Sequence, residues 1–286
     1  MRVAVVIPCR NGGTFLPDAI ESALAEGVAE VVLVDDGSSE DLSPIRATFE
    51  GRVHWITQPP LGVSAARNTG WQATDAEAVL FLDADDRLRS GTVSRRQAML
   101  AEGAGAVCGN ALFWDEGLAI RQGVGRSLER TTLGFRDVVR QNPGGASGCL
   151  VLREALERCG GFDPVLQRAE DWDLIIRIAS RYPVVYDNEP GVDVRVRADS
   201  LTAAAEGVYR SACQVLLKAV VYAPSRRQAW LDGHIARFHL ALDATQRLGP
   251  RFVAQHPEAA LYQALRVVRF VAHRVGRGRG GACASS

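Results

Sequence analysis

The chain has 286 residues, 47% of them hydrophobic and 23% charged, and its 33 basic and 33 acidic side chains balance to a formal net charge of zero. That composition excludes a disordered polyelectrolyte and leaves nothing global that points to nucleic acid. The length fits one large domain, or one domain with an appendage. Six cysteines occur, none at the spacing of a metal-ligand pair, and most sit in apolar runs. They read as reduced thiols rather than a disulfide framework.

In chain order, Val3–Ile7 reads as a buried strand. Arg2 with so short an apolar run does not make a signal peptide, and no apolar stretch is long enough to span a bilayer. A cytoplasmic location is therefore expected. Thr14 is placed to cap a helix to about Ala25. Val31–Val34 is a second strand, ended by the turn-forming Asp35-Asp36-Gly37-Ser38. Val53–Ile56 is a third. A helix follows over Gly62–Trp71, then a fourth strand, Ala78–Leu82, running into Asp83. Ser90 is placed to cap a helix to about Ala101, and Ala106–Cys108 starts another strand.

Past Gln141 the pattern loosens. Loops at Asn142–Gly145 and Gly160–Pro164 flank a strand at Cys149–Leu152. Glu170 opens a helix to about Ser180, and Val184–Tyr186 and Val192–Val196 read as two short strands. Beyond about Ala203 three helices are expected, Val208–Val221, Arg226–Leu248 and Pro257–Val275, then a Gly- and Arg-rich tail, 276–286, expected to be disordered. The alternation in the first half predicts an α/β fold: a doubly wound, mainly parallel sheet with a helical C-terminal extension. Such sheets bind ligands beyond the carboxyl ends of their strands. Arg10, Asp35, Asp83 and Asp85 all follow strand ends.

Each polar segment has two readings. Asp83-Ala84-Asp85-Asp86 suits a hard divalent cation, Mg²⁺ or Mn²⁺, bridging carboxylates to phosphates, or is an acidic turn. Asp35 can accept from a base or ribose, or simply shape a turn. Arg67 can reach a phosphate or base edge from a helix of small residues, or be solvated. Asp171 can take a proton from a hydroxyl beside the face of Trp172, or Glu170 and Asp171 can stabilise a helix start with Trp172 in the core.

Together, Val5-Val6-Ile7-Pro8-Cys9-Arg10-Asn11, Val34-Asp35-Asp36-Gly37-Ser38, Gly62-Val63-Ser64-Ala65-Ala66-Arg67-Asn68-Thr69-Gly70, Phe81-Leu82-Asp83-Ala84-Asp85-Asp86 and Glu170-Asp171-Trp172-Asp173-Leu174 resemble the family 2 glycosyltransferases, which have the GT-A fold. The resemblance covers roughly residues 1 to 200. It implies an inverting transfer of a sugar from a nucleotide-sugar donor, a UDP-sugar by default, to a glycan, lipid-linked or small-molecule acceptor. It places Pro8, Arg10 and Asp35 at the base and ribose, and Arg67 on the nucleotide. It puts Asp83 near the ribose within the Asp83-Ala84-Asp85 motif, and Asp85 on the metal. Asp171 would be the base, with Glu170, Trp172, Ser147 and Gly148 at the acceptor and sugar pocket. Arg197 stands where many members carry His, and can neutralise phosphate though it cannot ligate metal. Cys9 replaces a usual Thr or Ser.

The implied organisation is a GT-A-type domain at 1–203, a helical extension at 204–275 and the tail. Arg266, Arg269, His273, Arg274, Arg277 and Arg279 lie beside Leu265, Val267, Val268, Phe270, Val271 and Val275. That basic amphipathic pattern suits either packing on the core or peripheral contact with an anionic membrane. Two rival functions are a nucleotidyltransferase acting on sugar phosphates, which would release pyrophosphate, and a non-catalytic sugar-nucleotide-binding protein.

Overall fold

The computed structural model describes residues 1–119, 121–125, 127–129, 131–166, 168–196, 201–227, 230, 232–234 and 236–237. The elements in order are β1 (Val3–Cys9), α1 (Leu16–Ala25), β2 (Glu30–Asp36), α2 (Ser43–Thr48), β3 (His54–Gln58), α3 (Val63–Gln72), β4 (Ala78–Phe81), β5 (Arg87–Leu88) and α4 (Thr92–Leu100). There follow β6 (Ala106–Trp114), β7 (Arg121–Val124), β8 (Thr132–Leu133), α5 (Phe135–Arg140), β9 (Leu150–Leu152), α6 (Arg153–Cys159), α7 (Glu170–Ala179), β10 (Val184–Arg195) and α8 (Leu201–Tyr222).

These strands form one sheet in the order β3-β2-β1-β4-β9-β6-β10-β5, with β7 on β6 and β8 on β10. The half from β3 to β4 is parallel. Beyond it the sheet is mixed: β9 lies antiparallel between β4 and β6, while β10 runs parallel to β6. A strand buried on both faces is a continuous apolar run whichever way it points, so the direction of β9 is not written in its residues.

Strand side chains alternate between the faces. Val5 and Ile7 of β1 join α1 and α4 residues such as Leu16, Ile20 and Val93 in one core layer. Val6, Val34 and Phe81 join Ala66, Leu174 and Ile178 in the other. α3 comes very close to β1: a Cβ on Gly70 would lie 2.4 Å from Val6 Cγ1. The C-terminal helix α8 docks through Ala212, Val215, Leu216 and Ala219 into that second layer. Lys218 ties it down with ion pairs to Asp163 and Asp173, both at 2.7 Å. No described helix is long and apolar enough to cross a membrane.

Three local expectations are corrected. Thr14 does not cap α1; the chain enters through Phe15 and Leu16 amides on Gly12 O. Ser90 does not cap α4; Gly91, at φ 78°, precedes it. The first amides there go instead to the remote carboxylate of Glu26, Gly91 N at 2.8 Å and Val93 N at 2.7 Å. The two strands expected at 184–196 are one, β10, interrupted by an irregularity between Asp187 and Val192. Arg197, the helix expected at Pro257–Val275 and the tail lie outside the described residues, as does most of Arg226–Leu248.

Candidate active site

The loops after β1 and β2 meet because the strands are in register, with Cys9 opposite Asp35. Asn11, at φ 53°, donates its N–H to Ser38 Oγ and accepts from the Ser39 amide at 2.8 Å. Asp35 accepts from Ser38 N at 2.9 Å. Asp36 is buried and accepts from Gln58, Leu61 N and Gly62 N, so it anchors the approach to α3. Pro8 is buried and Arg10 is exposed at the rim. Burial pushes the Cys9 thiol up to about 11, which fits a packed side chain and not a nucleophile. The described cysteines are free thiols; Cys283 lies outside them.

β4 delivers the acidic turn, closed by Asp86 N on Asp83 O at 3.1 Å. Buried Ala84 is small enough for Gly12 to pass over it. Asp83 N donates to Ser147 Oγ at 3.3 Å. Arg67, expected to reach a nucleotide directly, is instead buried and engaged at both ends. Its Nη2 donates to Asp83 and its Nη1 to Glu170, each at 2.7 Å. Burial works against its charge, but the two carboxylates outweigh it and raise its pKa. Arg67 thus bridges the end of β4 to the start of α7.

Asp86 is buried beneath the turn, where burial, then Asp83 and Asp85, push its carboxyl well above the usual range. Its Oδ1 accepts from Arg195 N at 3.2 Å. The Arg195 guanidinium stacks 4.7 Å from the Phe15 ring, pairs with Asp18 and donates to the Asp85 carbonyl. Among the described residues, Arg195 is therefore an arginine that meets the acidic turn, two positions before the expected Arg197. Nothing in the sequence pattern of β10 singles it out.

Among the described residues no three His, Cys, Asp or Glu side chains gather into a cation cage. Half-buried Asp85, on a carbonyl-anchored turn, fits a cation that takes its other ligands from phosphate and water.

Asp171 sits in the first turn of α7, after Ala169 at φ 57°. It accepts from Trp172 N at 2.7 Å and from the Asn142 side chain. Burial and the Glu170 carboxylate push it up to about 6, while the Trp172 amide, Arg67 and Asn142 pull the other way. Asn142 and Gly145, its neighbours across the gap, line a cavity of about 300 Å³ that Asp83, Asp86, Ser147 and Asn110 also line. The site thus gathers Asp83, Ser147, Glu170 and Asp171 through Arg67 and the 142–147 loop.

Two expected pocket residues are not there. Trp172 is 4% exposed and its Nε1 donates to Val138 O at 2.7 Å, so its ring is core and offers no face to a sugar. Gly148, at φ 82°, packs its Cα against Val192 and the Arg96 guanidinium, behind the cavity wall. Asn142 and Arg195 are polar residues outside the motifs, and Asp86, inside one, carried no expected role.

A family model described as Glycosyl transferase family 2 matches residues 4–160, a span that holds the acidic turn but stops short of Asp171. A Campylobacter jejuni GalNAc(5)-diNAcBac-PP-undecaprenol beta-1,3-glucosyltransferase is 29% identical over 136 residues, 45% of this chain and 44% of that protein. The match therefore spans less than half of that relative's length. S. aureus TarS 1-349 in complex with UDP-GlcNAc superposes with a TM-score of 0.67 over 92% of this chain and 88% of that one, at 15% identity. A mannosyltransferase from Pyrobaculum calidifontis in complex with GDP-Man and Mn²⁺ gives 0.64 over 97% and 79%, at 21% identity. Those likenesses confirm the GT-A fold, and the match over more than half of the chain establishes that it belongs to glycosyl transferase family 2.

Proposed function

We propose that the chain transfers a sugar with inversion from a nucleoside-diphosphate donor to an acceptor hydroxyl, with Asp171 as the base. One observation carries this reading: a carboxyl pushed up to about 6 lies against Asn142 and Gly145 of the cavity that Asp83 and Ser147 also line. A base tuned toward neutral pH accepts a proton without being locked in its charged form. The acceptor oxygen loses its proton to Asp171 as it bonds to the anomeric carbon. The bond from that carbon to the diphosphate oxygen breaks on the opposite face, and the nucleoside diphosphate leaves with the electron pair.

Asp35, Pro8 and Arg10 form the base and ribose end, and Asp83 the ribose contact. Asp85 would hold a divalent cation, Mn²⁺ or Mg²⁺, which supplies charge neutralisation to the departing diphosphate. Arg67 orients Asp83 and Glu170 relative to each other. A UDP-sugar donor is favoured by the S. aureus neighbour's ligand, and a lipid-linked acceptor by the C. jejuni relative's name. We place the activity at the cytoplasmic face of a membrane in envelope polysaccharide synthesis, with residues 1–203 catalytic and the basic run in the 204–275 extension as the peripheral contact.

The test is Asp171→Asn. UDP or GDP with Mn²⁺ should still raise its melting temperature as in the wild type, while transfer from the matching nucleotide sugar falls by at least about a hundredfold. Wild-type transfer by Asp171→Asn would end the assignment.

A further inference from the structure

Arg96 on α4 heads the fully buried side chains by size, at 1% exposure, and it is a cation. Its Nε donates to Asp187 Oδ2 at 3.1 Å, an oxygen it shares with Arg95. Its Nη1 donates to the carbonyl of Gly148, and its Nη2 has no hydrogen-bond partner. Three glycines make room for it. A Cβ on Gly109 would lie 2.1 Å from Nη2, one on Gly191 2.4 Å from Nη2, and one on Gly148 2.8 Å from Nη1. So β6, the irregular part of β10 and the loop before β9 each lack a side chain where the guanidinium passes. A buried charge with an unmade hydrogen bond is costly, and an apolar side chain of similar volume would fill the space at lower cost. Stability alone does not account for an arginine there.

The group it grips does. Gly148 N donates to Phe81 O at 2.6 Å, and Phe81 N donates to Cys149 O at 3.0 Å. The residue before Gly148 is Ser147, whose Oγ receives Asp83 N and bonds the Asp86 carboxyl. Gly109 also borders the cavity. The geometry points to Arg96 as a positioning residue for sugar transfer: through the Gly148 carbonyl it holds Ser147 against the acidic turn that begins at Asp83. This rests on reading that turn as the donor site. Neither Arg96 nor any residue of α4 belongs to the motif segments of the family resemblance.

The experiment uses the full chain as wild type, Arg96→Met and Arg96→Lys. Sites competent for UDP or GDP are counted by calorimetry with Mn²⁺. Nucleoside diphosphate release is then followed with UDP-glucose, UDP-GlcNAc and GDP-mannose, and rates are expressed per competent site. For the donor the wild type turns over, Arg96→Met should lower kcat about 10- to 100-fold with donor KM changed less than about threefold, the pattern of misplacement rather than lost binding. Arg96→Lys, which keeps the charge but not the planar fork, should recover only part of that loss and stay about three- to tenfold below the wild-type kcat. Wild-type kcat per site in Arg96→Met overturns the proposal, as does a loss that only tracks the number of competent sites. If Arg96→Met does not fold, Arg96→Lys decides, because wild-type kcat there overturns it and a kcat lowered about three- to tenfold at unchanged KM supports it. Asp171→Asn run beside them keeps the two ideas apart: full turnover in that variant defeats the base assignment and leaves the Arg96 comparison intact.

Discussion

Asp171, the proposed base, shows how one carboxyl is brought toward neutral pH. Removal from water disfavours its charge, adjacent Glu170 disfavours it further, and the Trp172 amide, Arg67 and Asn142 return part of the difference, so that it titrates at about 6. Transfer at subsaturating donor should therefore rise with unit slope through about pH 6 and level off above it. A profile flat from pH 5 to 8 would remove Asp171 from the proton transfer. The sign for stability is the reverse. Because the folded value lies above the ordinary aspartate value of 3.8, ionised Asp171 opposes folding above about pH 6, and that penalty fades as pH falls toward the unfolded value. Asp171→Asn should accordingly melt higher than wild type at pH 7.5 and lose the advantage by about pH 4, as scanning calorimetry at both pH values would show. The side chains able to do acid, base or metal chemistry at strand and helix ends, Asp83, Asp85 and Asp171 among them, were legible in the sequence as candidates. Those that act by holding were not. Trp172 stands next to Asp171 in the chain, yet α7 turns successive side chains apart, and its indole lies in the core on Val138 O. Asn142 and Asp171 are distant in sequence and meet only because α5 and α7 pack together.

At the scale of elements, α3 carries more of the site than its length suggests. Gly70 permits the helix to touch β1, and Arg67, one turn earlier, spans Asp83 and Glu170. In Gly70→Ala the new methyl would meet Val6 Cγ1 at 2.4 Å and Val34 Cγ2 at 3.2 Å, both on central strands. Overpacking of that kind costs about 1–3 kcal/mol, which exceeds the gain of about 1 kcal/mol from replacing Gly in a helix. Gly70→Ala should therefore lower the urea midpoint, and the displacement of α3 should also weaken nucleotide binding by loosening Asp83. An unchanged midpoint would mean that β1 yields more than its 0% exposed side chains suggest. Most elements were readable because strand runs and helix starts carry local signals. The short α2, β5, β7, β8, α5 and α6 were not read, and two misread stretches have tertiary causes. α4 is capped by Glu26 from the end of α1, which no window around Ser90 contains. β10 continues past Asp187 because its carboxylate meets Arg95 and Arg96 from α4, and this lets a polar interruption lie inside a strand.

Across the whole molecule, the loops of the candidate site and the C-terminal segment are joined by charge as well as by packing. Asp232, fully buried, lies beyond α8 and pairs with Arg136 at 2.9 Å and Arg140 at 2.8 Å, both on α5. α5 leads directly into the 141–148 loop that supplies Asn142 to Asp171 and Ser147 to Asp83. Lys218 adds a second tie, from α8 to Asp173 in α7, whose first turn holds Asp171. Asp232 and α8 thus bear on the 141–148 loop and on the helix that carries Asp171. In Asp232→Asn the buried carboxylate that orders two half-exposed arginines becomes a weaker, neutral acceptor of the same shape. Because the arginines can turn outward and hydrate, the fold should survive, with a melting temperature lower by several degrees. The loosening should concentrate in α5 and the loop after it, where hydrogen exchange of residues 135–148 should quicken while that of β1 and β2 stays the same. If transfer needs that loop in place, kcat should fall more than the affinity for nucleotide, because, of its proposed contacts, only Asp83 touches the loop while Pro8, Arg10 and Asp35 lie away from it. Uniform quickening throughout the chain would instead show that Asp232 supports only global stability and that the extension does not govern the loop.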